Sequence, residues 1–293
     1  MDTALAVDIG GTKMAAGLVT SDGEVIASAT APSRADDAQA LFSVLLALVD
    51  SLGYVPERGG GGNGEVAVCG VGCGGPMTRG GEAVSPLNIP AWRDFPLRSR
   101  LAEATGLETF VDNDAKALAL GEGWVGAAAD VDNFIAMVVS TGVGGGIVLD
   151  GRLLDGAAGN AGHIGHVCVE PEGRECACGA RGCLEAEVSG TSIAAITGRP
   201  AAEAGPEVVA RTGRLVGRAV ASVANLLDLG LAVVAGSVAL GYGEPFFVAA
   251  QAELDAQARL SFSRGARIIP GGLGASGPLV GAAAVGWRGL GRL

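Results

Sequence analysis

The chain has 293 residues, a formal net charge of −11 and 49 % hydrophobic residues. That is long enough for two lobes with real cores, too apolar for a disordered chain, and too acidic for a nucleic-acid partner, which needs clustered Lys and Arg. No apolar run reaches the ~20 residues of a membrane helix, so no membrane partner is expected and the acidity reads as solubility. Residues 1–11 carry no basic residue ahead of their apolar run; they read as a first strand and not a signal peptide, which predicts a cytoplasmic protein.

In chain order, ALAVDIGG (4–11) predicts a buried strand ending in glycines. MAAGLVT and EVIASAT predict two more strands of a meander, joined by the turn SDGE. Residues 38–52 have helical spacing, RGGGGNG (58–64) reads as a flexible surface loop, and EVAVCGVG (65–72) returns to strand. A helix over 97–105 and a short strand ETFVDN follow, then a helix from AKALALGEGW. NFIAMVVSTGVGGGIVLDGRLL predicts strand, glycine turn, strand. After a Cys/His segment come helices over 206–229, a strand LAVVAG, more helix, and a closing helix from SGPLVGAAAVGWRGL. Strands mixed with helices predict an α/β protein.

Two stretches repeat the same plan: VDIGGTKMAAGLV and VVSTGVGGGIVLDG are each an apolar strand, a polar Gly/Thr turn and a second strand. In the first, Gly10 and Gly11 permit a tight turn whose backbone N–H groups can face phosphate oxygens. Thr12 adds a hydroxyl, Lys13 a point charge, and Asp8 at the strand end would reach the magnesium of Mg-ATP through water. Ser140, Thr141, Gly142 and Gly144 would form a second phosphate clamp. Either turn alone is more often a plain hairpin; it is the pair that points to a nucleotide. GVGCGG (70–75) fits a dinucleotide fingerprint, but Pro76 and TRGGEAVSPLNIP follow in place of the helix such a turn must open.

Both histidines, His163 and His166, and four of the six cysteines fall within residues 160–185. Cys176, Cys178 and Cys183 in the spacing CxC-x4-C, with His166 upstream, supply three sulfurs and one nitrogen, a tetrahedral Zn2+ set. Gly179 and Gly182 allow the chain to curl, and four protein ligands leave no open position, so the ion would be structural. The competing readings are buried free cysteines beside a hydrogen-bonded histidine, or His163 as the ligand in place of His166. Cys168, Cys69 and Cys73 read as core residues of strands.

DIGGTK, Asn113-Asp114, STGVGGG, and above all GHIGH followed by CxCGxxGCxE resemble the ROK family of sugar kinases and repressors, from about residue 4 to the C-terminus. The resemblance implies a two-lobed actin-like ATPase (ribonuclease H-like) fold with a cleft between lobes. The N-terminal lobe is expected over 1–113, with the closing helix 277–293 packing on it, and the larger zinc-bearing lobe over 114–276. It implies ATP, Mg2+ and structural Zn2+ as cofactors, a small-molecule sugar as substrate, and a homodimer or homotetramer.

By the same resemblance, Asp114 is the catalytic base and Asn113 holds a neighbouring hydroxyl, although Asp112, Asn113 and Asp114 would cap a helix whatever the function. Gly75, Asn88, His163, His166 and Glu185 are expected around the sugar, and Gly236 and Ser237 on the adenosine side. Family members often read NDAN where this chain has Lys116, which is expected outside the residues touching substrate. Many read Glu where this chain has His163; an imidazole donates one hydrogen bond and accepts another, whereas a carboxylate only accepts. The AGHIGH form implies phosphorylation of N-acetylmannosamine, at the 6-OH, with glucose as the alternative. A non-catalytic sugar sensor, or a regulator lacking a DNA-binding domain, is the reading from another class. Family repressors place a helix-turn-helix ahead of the first phosphate turn, and here that turn begins a few residues from Met1.

Overall fold

The computed structural model describes residues 2–35, 37–53 and 66–293; the loop expected at 58–64 lies outside them. The chain divides into two compact units, one of Met1–Val125, Asp155–Ala161 and Leu273–Leu293, the other of Gly126–Leu154 and Gly162–Gly272.

In the first unit, β1 (Thr3–Ile9), β2 (Lys13–Thr20) and β3 (Val25–Pro32) form an antiparallel meander. Helix α1 (Ala38–Asp50) starts at Asp37, whose Oδ1 accepts the Ala40 N–H at 2.7 Å. Strand β4 (Val66–Cys73) pairs parallel with β1, helix α2 (Leu97–Thr105) ends at left-handed Gly106, and β5 (Thr109–Asn113) pairs parallel with β4. Helix α3 (Asp114–Trp124) follows without a linker. Alternation sorts β1: Leu5, Val7 and Ile9 join a core with Leu41, Phe42 and Leu45 of α1, while Ala4 and Ala6 take the opposite face.

In the second unit, β6 (Phe134–Val139), β7 (Val143–Leu149) and β8 (Arg152–Leu153) are antiparallel. After the Cys/His segment come α4 (Leu184–Val188), α5 (Gly190–Thr197), the long α6 (Pro206–Leu227), β9 (Leu231–Ala235), α7 (Ser237–Tyr242), α8 (Glu244–Gln257) and β10 (Arg267–Pro270). Strand β9 is parallel to β6, and β10 to β9. The two sheets, β3-β2-β1-β4-β5 and β8-β7-β6-β9-β10, therefore share one strand order: the repeat seen between the two Gly/Thr turns extends to the whole sheet. The structure adds β8, β10, α4 and α5 to the elements expected from the sequence.

Helix α9 (Gly277–Gly289) returns to the first unit and covers the alanine face of β1. A Cβ at Gly70 of β4 would lie 2.0 Å from the Ala282 carbonyl oxygen, and one at Gly281 would lie 2.6 Å from that of Ala117, so α9 meets β4 and α3 backbone to backbone. Among the described residues no helix is long and apolar enough to cross a membrane.

Candidate active site and metal centre

The chemistry of the first unit collects where β1 ends and α3 begins. The alternation that turns Ala4 and Ala6 toward α9 sends Asp8 to the same face. Asp114 opens α3. Its Oδ1 accepts the Ala115 N–H at 2.8 Å, and the N-cap Asn113 Oδ1 accepts the same N–H at 3.0 Å. Gly72 lies beside both acids: a Cβ there would be 3.7 Å from Asp8 Oδ1 and 3.6 Å from Asp114 Cα. Burial, and then the Asp114 charge, push the Asp8 carboxyl up from its ordinary 3.8 to about 7, against the pull of Lys13. Two repelling carboxylates are a hard-oxygen set suited to the divalent cation that accompanies a nucleotide, and a cation there would favour ionised Asp8.

The turn after β1 is closed by the Gly10 N–H donating to the Lys13 carbonyl at 3.1 Å. Gly11 is required by a close approach, since a Cβ would lie 2.5 Å from Asn88 Cβ. Thr12, Lys13, Asn88 and Asp114 are exposed. A Cβ on Gly75 would be 3.7 Å from Asn113 Nδ2, and the Gly75 carbonyl accepts the Leu87 N–H at 3.2 Å. The first unit thus brings Asp8, Asp114 and Asn113 with Gly75, and Gly11 with Asn88.

In the second unit the corresponding turn, Ser140 to Gly142, is closed by the Ser140 N–H donating to Gly142 O at 2.9 Å. Ser140 Oγ lies 2.9 Å from Ser237 Oγ, so the expected phosphate and adenosine residues meet at the ends of β6 and β9. Gly236, at φ +99°, has no room for a side chain: a Cβ would lie 2.4 Å from the Val139 carbonyl oxygen. Thr141 O accepts the Thr191 hydroxyl at 3.0 Å, and Ser140 O the Gly190 N–H at 2.7 Å, anchoring the turn to α5. Gly144 lies in β7 opposite Val138.

Glu185, on α4, sends Oε2 to the Val143 N–H at 2.9 Å. Ahead of α4, His166 Nδ1 stands 3.6 Å from Cys176 Sγ, and Cys178 Sγ stands 3.7 Å from Cys183 Sγ. All four ligand atoms lie within 4.8 Å of one another. Sulfurs bonded to Zn2+ at ~2.3 Å in a tetrahedron stand about 3.8 Å apart, so the donor set fits. Gly179 and Gly182 have φ of +90° and +73°, and the Cys176 N–H donates to Ala180 O at 2.7 Å, which curls the loop. It is the His166 ring, not that of His163, that joins the sulfurs; His163 is exposed, its ring centroid 6.1 Å from that of His166.

Cys69 and Cys73 are buried in β4 as expected, but Cys168 corrects the reading of it as a core residue. It is a free, exposed thiol whose backbone makes an isolated antiparallel β-bridge with that of Cys183, and the inward position there is taken by Val169.

A model of the ROK family matches residues 4–287. The chain belongs to the ROK family. This ROK protein is 39 % identical over 257 residues to the N-acetylmannosamine kinase of Citrobacter koseri, covering 82 % of this chain and 84 % of that one. It superposes with a TM-score of 0.81 on a ROK hexokinase from Thermus thermophilus, at 31 % identity over 99 % of this chain and 100 % of the other. With a ROK family glucokinase from Streptomyces griseus, solved with glucose and AMPPNP, the TM-score is 0.82 at 27 % identity, covering 98 % and 99 %. Its fold is the α/β, actin-like ATPase fold of ROK sugar kinases.

Three partners in this ROK chain escape sequence reading: the Val143 amide that holds Glu185, Asp155, which pairs with Lys116, and Arg288, which pairs with Asp155 in turn. Asp155 and Arg288 belong to no recognisable motif, and nothing in STGVGGG marks the Val143 amide as the donor to a distant glutamate. For Lys116 the signals are its departure from NDAN and a lysine standing among the apolar residues of α3.

Proposed function

We propose that this ROK kinase transfers the γ-phosphoryl group of ATP to the 6-OH of a hexose or N-acylhexosamine, with N-acetylmannosamine preferred and glucose second. The observation that carries the reading is Asp114 at the first position of α3, on the face of the first unit that also holds Asp8. A carboxylate there is suited to general-base work once a sugar hydroxyl is within hydrogen-bond reach. Asp114 accepts the hydroxyl proton as the sugar oxygen bonds to the γ-phosphorus, the bond from that phosphorus to the bridging oxygen breaks, and ADP leaves with the electron pair. Asn113 holds a neighbouring hydroxyl.

The backbone N–H groups of Gly10 and Gly11, with Thr12 and Lys13, hold phosphate from the first unit. Ser140, Thr141, Gly142 and Gly144 do so from the second, with Gly236 and Ser237 beside the adenosine. Magnesium supplied with ATP would neutralise phosphate charge, with Asp8 as the residue that holds it. Catalysis is then mostly positioning and charge neutralisation. His166, Cys176, Cys178 and Cys183 would hold a zinc ion whose role is to brace the segment between His163 and Glu185, the two side chains assigned to sugar hydroxyls. His163 and the similarity to N-acetylmannosamine kinases support that substrate over glucose.

A panel of hexoses and N-acylhexosamines assayed by ADP release tests the reading, with Asp114→Asn run beside the wild type. The expected result is the highest kcat/KM on N-acetylmannosamine and a loss of about 10²–10⁴-fold in kcat in the variant, with sugar binding kept. Unchanged turnover would remove Asp114 as the base, and no ADP release on any sugar would remove the kinase.

A further inference from the structure

Lys116 occupies the position where the family motif often has asparagine, and its side chain is only 3 % exposed. An ammonium group so placed is tolerated when its charge is met by carboxylates and its N–H groups by acceptors. Lys116 Nζ lies 2.8 Å from Asp112 Oδ1, 2.8 Å from Asp155 Oδ1 and 3.3 Å from the Gly159 carbonyl. Arg288, from α9, reaches the other oxygens of the same two acids, 2.8 Å to Asp155 Oδ2 and 3.4 Å to Asp112 Oδ2. Each cation touches both carboxylates, so the four side chains form a closed ring with no net charge. Burial pushes the Asp155 carboxyl upward, but hydrogen bonds and charges from Lys116 and Arg288 outweigh it and hold the group below its ordinary range.

The ring joins two segments that bear on the proposed chemistry. Asp112 stands two residues before Asp114, and its Oδ1 also accepts the Asn113 N–H at 2.8 Å, fixing the turn that presents Asn113 and Asp114. Asp155 begins the excursion Asp155–Ala161, which packs in the first unit although the chain on either side of it belongs to the second. That strap is closed by the Ala161 N–H donating to Asp155 O at 3.0 Å, and His163 follows two residues later.

We propose that Lys116, Asp155 and Arg288 are positioning residues for phosphoryl transfer, their ring with Asp112 locking the Asn113–Asp114 turn to the strap that leads into His163. The inference rests on the sugar-kinase reading. Lys116→Met, Asp155→Asn and Lys116→Arg would be compared with wild type for kcat and KM per folded molecule, and for amide hydrogen exchange at residues 156–161 without ligand. Asp155 is 45 % exposed, so Asp155→Asn is the variant expected to stay folded if Lys116→Met does not.

The expected result in Lys116→Met and Asp155→Asn is a fall of about tenfold or more in kcat, an ATP KM within about twofold of wild type, and faster exchange across the strap. Lys116→Arg should recover most of the kcat, because a second cation can still meet both acids. A kcat per folded molecule equal to wild type in both disrupted variants, or unchanged strap exchange, would overturn the proposal. The exchange measurement needs no turnover: an inactive wild type whose strap still loosens in the variants would refute the kinase reading while leaving the clamp in place.

Discussion

Glu185 accepts the Val143 N–H through Oε2 at 2.9 Å, which ties helix α4, just past the cysteine loop, to the turn that opens β7. The bond is charge-assisted and partly buried, so its loss leaves the Val143 amide to find another acceptor. Glu185→Ala should cost about 1–3 kcal/mol of stability. Glu185→Gln keeps an acceptor and should regain most of that stability while turnover stays low. Thermal melts and steady-state kinetics of both variants check this; a Gln variant with wild-type kcat/KM would exclude the carboxylate from sugar recognition.

His163 is exposed, so replacing it disturbs little packing and should report mainly on specificity. Glu in its place accepts hydrogen bonds but donates none. His163→Glu is expected to shift the ratio of kcat/KM for N-acetylmannosamine over glucose toward glucose by about tenfold or more, the range in which a mismatched hydrogen bond discriminates. An unchanged ratio would mean that other residues choose the sugar.

Asp8 supplies a test in pH. Its carboxyl keeps its proton to about 7 in the fold but loses it near 3.8 when unfolded. Between those values the folded chain binds more protons than the unfolded one, so stability falls as pH rises through the window. In magnesium-free buffer the melting temperature should drop between about pH 4 and pH 7, and Asp8→Asn should flatten the drop, raise stability at the upper end and abolish turnover. The same slope in wild type and variant would place its origin elsewhere.

Cys178 is exposed, so as a mere packing residue its loss would matter little; as a ligand it would matter a great deal. The chain purified without added metal should carry about one zinc, and Cys178→Ser or chelation should lower the melting temperature by roughly 5 °C or more. Zinc content measured by elemental analysis, set beside the melts, checks it. A zinc-free wild type, or a Cys178→Ser variant that melts with the wild type, would dissolve the cluster.

The first sheet, three strands of the second, the two Gly/Thr turns, the start of α3 and the CxC-x4-C loop were all legible along the chain. Each is written in neighbours: an unbroken apolar run in β1, an Asn113 cap directly before Asp114, glycines where the loop must curl. Cys168 was misread because one strand residue beside a loop gives no alternation from which to judge its facing.

Residues far apart along the chain were decided only by folding. Asp8 and Asp114 influence each other because parity in β1 and the end of β5 put them on one face of a sheet, and nothing in either segment states that register. Lys116 reads as an ordinary helix lysine until Asp155 and Arg288 arrive from a strap and a closing helix. Local periodicity records which way a side chain points, and the sequence determined that much by itself. Which charges then meet depends on how strands and helices pack, and that is a property of the tertiary structure alone.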